Sequence, residues 1–189
     1  MKSVRTSYIH TIYACYLGYI VQAIVNNFAP LLFLTFSVSF GLALEQIALI
    51  SMVNFAIQLC VDLLSAKVID RVGYRASIIA AHAFAAAGIV GLAVFPALLE
   101  SAFAGLMLAV VLYAIGGGII EVLISPIVEV CPTEKKEAAM SLLHSFYCWG
   151  HLAVVLLSTV FFTLFGIGNW RVLAVVWAVI PILNLLYFT

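Results

Sequence analysis

The chain has 189 residues, of which 66% are hydrophobic and only 8% charged, and its eight basic and eight acidic side chains balance. Mean hydropathy is +1.25, whereas soluble domains carry roughly 25% charged residues. This is the composition of an integral membrane protein, and a net charge of zero gives no sign of a nucleic-acid partner or an acidic substrate surface.

Six apolar segments follow one another, over residues 9–34, 44–66, 76–95, 102–128, 138–162 and 170–188. Each is near the roughly 20 residues that a helix needs to cross a bilayer. Lys2 and Arg5 precede the first run as they would in a signal peptide, but no small-residue cleavage site follows clearly, so this run is read as the first span. Seven of the eight basic residues then fall on one side of the membrane, leaving Arg171 opposite. The positive-inside rule therefore expects both termini in the cytoplasm.

In the first span Tyr19, Gln22 and Asn26 form a short polar stripe, followed by Asn27 and by Pro30, which removes a backbone donor and can kink the helix. The second span is clearer. Ser51, Asn54, Gln58, Asp62 and Ser65 are spaced 3, 4, 4 and 3, so they share one helical face among aliphatic and aromatic neighbours. Such a stripe either bonds to neighbouring helices or lines a watery cavity. The third span is rich in alanine and glycine, a composition that lets backbones approach closely. Its exception, His82, reads as a side chain hydrogen-bonded to a neighbour rather than a catalytic one.

Polarity returns in the fourth span, where Tyr113, Gly117, Glu121 and Ser125 recur every four residues. An ionisable group inside a span costs several kcal/mol by insertion scales and so marks a functional position. The run Gly116–Gly118 either allows close approach or unwinds the helix locally. Pro126 follows it, as Pro30 follows Asn26 and Asn27. Interrupted helices thus fall at corresponding places in two three-helix units of opposite direction, the layout of a transporter repeat. In the fifth span Ser141, His144, Cys148 and His151 share a face, which reads as a polar seam rather than a metal site, since metal wants three or four ligands with second-shell support. The four cysteines show no CxxC spacing and read as free thiols, with no metal or other cofactor implied. The last span carries Trp177, Pro181 and Asn184.

A nucleophile turn of the GxSxG type, an HExxH motif and a close carboxylate dyad are all missing, so an enzyme is not expected. No repeated filter segment suggests a channel.

The segment Ala66-Lys-Val-Ile-Asp70-Arg71-Val-Gly73-Tyr74-Arg75 resembles the loop between helices two and three of the major facilitator superfamily. The resemblance implies an inner-gate role for Asp70, Arg71, Gly73 and Arg75. Gly116 to Pro126 is similar to helix four of the fucose-permease-like sugar transporters, Leu143 to Gly150 to helix five, and Asn26-Asn27 to an Asn-Asn pair in helix one. In that branch a membrane-embedded glutamate is implicated in proton coupling, and Glu121 falls on its position.

These readings together give an all-α membrane protein of six transmembrane helices, one half (a 3+3 inverted repeat) of a major facilitator fold. The expected function is proton-coupled alternating-access transport of a small polar, sugar-like solute. Glu121 and Asp62 are the candidate proton-coupling residues. Tyr19, Gln22, Asn26, Asn27, Asn54, Gln58, Tyr113, His144 and Tyr147 are the candidate solute contacts, with Tyr147 and Trp149 available for stacking. The alternative for Glu121 is a buried pair with His144. Because the family normally has twelve helices, the expected partner is a second copy or a missing C-terminal half. The rival reading is a non-transporting membrane subunit that binds other helices.

Overall fold

The computed structural model describes residues 8–133 and 135–189, with the side chains of residues 66–68 and 70 outside the description. Seven α-helices follow in order: α1 (Tyr8–Leu31), α2 (Phe33–Phe40), α3 (Leu44–Val72), α4 (Tyr74–Leu98), α5 (Ala102–Val130), α6 (Lys136–Phe165) and α7 (Trp170–Phe188), the last entered through a 3₁₀ turn at Ile167–Asn169. Among the described residues, six segments are long and apolar enough to cross a membrane.

The first span departs from its expected limits. It continues beyond residue 34 as α2, after a break at Leu32, where φ is −101° and ψ is 0°. The break falls two residues after Pro30, which has no N–H of its own to add to the ladder. The expected turn between spans two and three also shrinks. α3 runs through Arg71 to Val72, and the only non-helical residue before α4 is Gly73, at φ +88° and ψ 152°. Glycine holds that backbone without the strain a Cβ would bring.

The fourth span corrects the expectation of an interrupted helix, because α5 continues unbroken through both Gly116–Gly118 and Pro126. Its glycines provide close approach instead. Successive helical residues point about 100° apart, so three in a row face three different neighbours. A Cβ on Gly116 would lie 2.5 Å from the Ala81 oxygen of α4; on Gly117, 2.8 Å from Val25 of α1; on Gly118, 2.9 Å from Val61 of α3. α5 is therefore the hub on which three helices rest. Ser101 caps its start by accepting from the Ala104 N–H at 3.3 Å.

The packing pairs follow the repeat in part, since the close α4–α5 contact has only a much weaker α1–α7 counterpart. α1 packs on α6 as α5 packs on α3, while α1 against α5 and α4 against α7 join the units across the middle. Exchanging the first three spans for the last three maps one set onto the other. α4 lies closest to α5, and both are buried along much of their length, whereas α3 and α6 are exposed along most of theirs.

His82 is fully buried between α4 and α7, bonded as expected to neighbours. Nδ1 lies 2.8 Å from the Ile78 carbonyl, which can only accept, so Nδ1 carries the proton. Nε2 is then the acceptor for Asn184 Nδ2 at 2.8 Å, and the same amide nitrogen donates to the Ala14 carbonyl at 3.0 Å. One amide thus ties α7 to α4 and α1. Replacing it by leucine (Asn184→Leu) should lower stability by about 1 kcal/mol, the usual range for such interhelical bonds. Chemical denaturation of the purified protein in mixed micelles measures this.

Candidate solute seam on the open face

The polar stripes of α1, α3 and α5 meet in one hydrogen-bonded seam. Asn26 Oδ1 accepts from Gln58 Nε2 at 2.8 Å, and Gln58 Nε2 also donates to Asn54 Oδ1 at 3.0 Å. Gln58 Oε1 accepts from Gln22 Nε2 at 3.4 Å, and that same nitrogen donates to Glu121 Oε2 at 3.0 Å. A line of amides therefore connects the asparagines of α1 and α3 to the carboxylate of α5. Gln22, Asn54 and Gln58 are buried, whereas Glu121 and Asp62 are exposed on the side that no other helix of this chain covers.

The second part of the seam is aromatic. Tyr19 Oη lies 2.9 Å from Ser125 Oγ. The Tyr19 ring stands 5.7 Å from the His144 ring and 6.1 Å, edge-on, from Tyr147, so α6 joins the same surface. Gly150 makes this possible: a Cβ there would lie 3.0 Å from Ala23 Cβ, so α6 sits close against α1. His144 itself is exposed.

Eight of the nine expected solute residues thus gather around one face, since Tyr113, although 2% exposed, lines a void of about 20 Å³ together with Asn26 and Asn54. Asn27 does not join them: its Nδ2 donates 2.8 Å back to the Ala23 carbonyl of its own helix. The Glu121–His144 pair is replaced by the bond from Gln22, which a helix-by-helix reading had no means of choosing. Trp149 is 67% exposed and takes no part in the ring cluster around Tyr19. Ser125 is the member missed by the expected solute set, although its place four residues after Glu121 marked it. Among the described residues, no group of three His, Cys, Asp or Glu side chains is arranged to hold a metal.

The residues to which the loop resemblance gives an inner-gate role lie at the turn from α3 to α4, with Arg75 in the first turn of α4. The side chain of Asp70 is outside the described residues, and Arg71 is exposed. Arg75 reaches α7: Nε donates 3.2 Å to the Phe188 carbonyl, and Nη2 donates to that of Thr189, at the end of the helix. A cation there is favoured by the negative end of the helix dipole. A hollow of about 560 Å³ opens beside it, bordered also by His10 and Tyr187 and by none of the seam residues.

A profile described as Major Facilitator Superfamily matches residues 15–189. The chain belongs to the major facilitator superfamily. No curated protein sequence matches the chain. Among solved structures, this major facilitator chain is similar to a substituted form of the peptide transporter POT in complex with sulfate, with a TM-score of 0.69 and 19% identity over 98% of this chain and 36% of that one. The same transporter with alafosfalin matches at a TM-score of 0.69 and 19% identity, over 98% of this chain and 37% of that one. At such identity the likeness establishes the fold. The chain spans little more than a third of the length of the structures it matches, and the arrangement is that of half a major facilitator domain.

Proposed function

We propose that this chain forms one wall of a proton-coupled secondary transporter for a small polar solute, completed by a second six-helix unit on the open face. The observation that carries the proposal is the bond from Gln22 to Glu121, which places a titratable carboxylate at the end of a buried amide line and on the uncovered side. An ionised carboxylate in a dry membrane site costs several kcal/mol, so protonation of Glu121 is the step that lets the site close and cross over. The amides, hydroxyls and rings of the seam suit a hydroxyl-bearing, sugar-like molecule, as the fucose-permease-like resemblance implies. Asp62 stands near Glu121 and shares its proton chemistry.

The second unit is another copy or a C-terminal half. Two copies of the same orientation, related by an axis along the membrane normal, would reproduce the usual relation between major facilitator halves. In this reading the protein sits in the cell membrane with both termini in the cytoplasm, and Arg71 and Arg75 belong to the inner gate with Asp70 and Gly73.

The same uncovered polar face also favours the rival reading, a membrane subunit that docks partner helices and moves nothing. One experiment separates the two. Purified protein in liposomes is sized by native mass spectrometry and given a pH gradient with labelled sugars outside. Homodimers that accumulate solute only under the gradient support transport. Monomers that take up nothing, yet co-purify with one other membrane protein, support the subunit reading.

A further inference from the structure

We propose that the seam selects a solute carrying one organic ammonium group, held between Glu121 and Asp62 beside the Tyr19 and Tyr147 rings. This inference rests on the transport reading above and names the charge of the solute. It begins with helix direction. α3 and α5 are the second and fourth spans, so they run the same way, and they touch where Gly118 faces Val61 and Gln58. Asp62 is four residues beyond Gln58, and Glu121 is three beyond Gly118. The two carboxylates therefore leave neighbouring helices at one level, both on the uncovered side.

No lysine or arginine occurs in the segments that build the seam, residues 19–26, 54–62, 113–125 and 144–147. The other titratable groups facing it are Tyr19 on α1, Tyr113 on α5, and His144 and Tyr147 on α6. The seam is also short of donors. Gln22 is 2% exposed, its one amide nitrogen serves both Glu121 and Gln58, and its buried Oε1 has no partner. An unpartnered buried acceptor beside a carboxylate calls for a ligand rich in donors. An ammonium group offers three donors and no acceptor.

Charge balance points the same way. With both carboxylates ionised the empty site carries two negative charges, and closing it around a neutral solute and one proton leaves one charge uncompensated in a dry space. One proton and one ammonium cancel both. Tyr19, bonded to Ser125 one helical turn from Glu121, and Tyr147, 6.1 Å from it, bring aromatic rings close to the carboxylates, and such rings attract a cation. A hydroxylated amine, of which an amino sugar is the simplest sugar-like case, meets all of these demands.

The test is protection of Glu121 from a hydrophobic carbodiimide, read by mass spectrometry of the peptide from the intact protein in nanodiscs. Glucosamine and methylammonium should each slow the total modification, counted as carbodiimide adduct plus the amide that an amine forms with the activated carboxyl, about tenfold at saturation, while N-acetylglucosamine, which lacks the charge, should not. Asp62→Asn should weaken the protection, and Asp62→Glu should keep it. Equal protection by N-acetylglucosamine, or none from either ammonium compound, overturns the inference. In both cases the transport reading stands or falls separately, on gradient-driven uptake.

Discussion

Gly88→Ala is expected to be the most damaging single-methyl change in the protein. The added Cβ would lie 2.3 Å from the Tyr113 backbone nitrogen and 2.7 Å from the Ala109 oxygen, across the closest helix pair in the fold. Backbone atoms have no rotamer with which to move away, so α4 and α5 must separate along their length. Overpacking of this kind costs about 3 kcal/mol, more than the ~1 kcal/mol that alanine gains over glycine in helix propensity. The apparent melting temperature in detergent should fall by about 6 °C, since the net loss of about 2 kcal/mol is worth about 3 °C per kcal/mol in a chain of this size. Gly116→Ala should behave alike, since its Cβ would lie 2.5 Å from both the Ala81 oxygen and the Ala85 nitrogen. Gly18→Ala is the contrast: its close neighbour is the end of the Ile124 side chain, which can rotate, so the loss should be much smaller. A Gly88→Ala protein that melts with the wild type would show that the α4–α5 contact is not set by these glycines.

Those glycines also show which features the sequence could reveal. Membrane insertion, the number of spans and the polar stripes followed from spacing alone, because helical period and bilayer thickness are fixed quantities. Tyr19, Gln22, Asn54, Gln58 and Glu121 could be assigned to faces from their spacing. What spacing could not supply was which face meets which. The choice of Gln22 over His144 as the partner of Glu121 depends on how close α1 comes to α5, and that is decided by Gly117, whose Cβ would lie 2.9 Å from Gln22 Oε1. The triple glycine was read with two outcomes open, and only the neighbours on all three sides select close approach over unwinding. Asn27 was grouped with Asn26 by adjacency, yet adjacent helical positions point about 100° apart, and its amide finds its own helix instead. Gly73 makes the same point in reverse: a charged segment that reads as a loop stays helical to Val72 because one residue with positive φ is enough to turn the chain.

Replacing the seam carboxylate by its neutral isostere, Glu121→Gln, should uncouple transport without stopping movement. The substituted amide resembles the protonated acid in charge and shape, and its oxygen can still accept from Gln22 Nε2, so the bond seen at 3.0 Å has a counterpart. Closure would then no longer wait for a proton. Counterflow exchange of labelled for unlabelled solute should persist, whereas accumulation driven by a pH gradient should collapse. The scale follows from the charge that no longer has to be neutralised: about 3 kcal/mol at the centre of a span, equivalent to roughly a hundredfold in the ratio of coupled to uncoupled crossing. The pH profile should change with it. Wild-type exchange should slow as pH rises and Glu121 loses its proton, because an ionised site resists drying; the variant should exchange at a rate nearly independent of pH. Asp62→Asn should leave more of the pH response in place, since Glu121 keeps its own bond to the amide line. Gradient-driven accumulation by Glu121→Gln at the wild-type level would remove Glu121 from the coupling step and leave it a structural partner of Gln22.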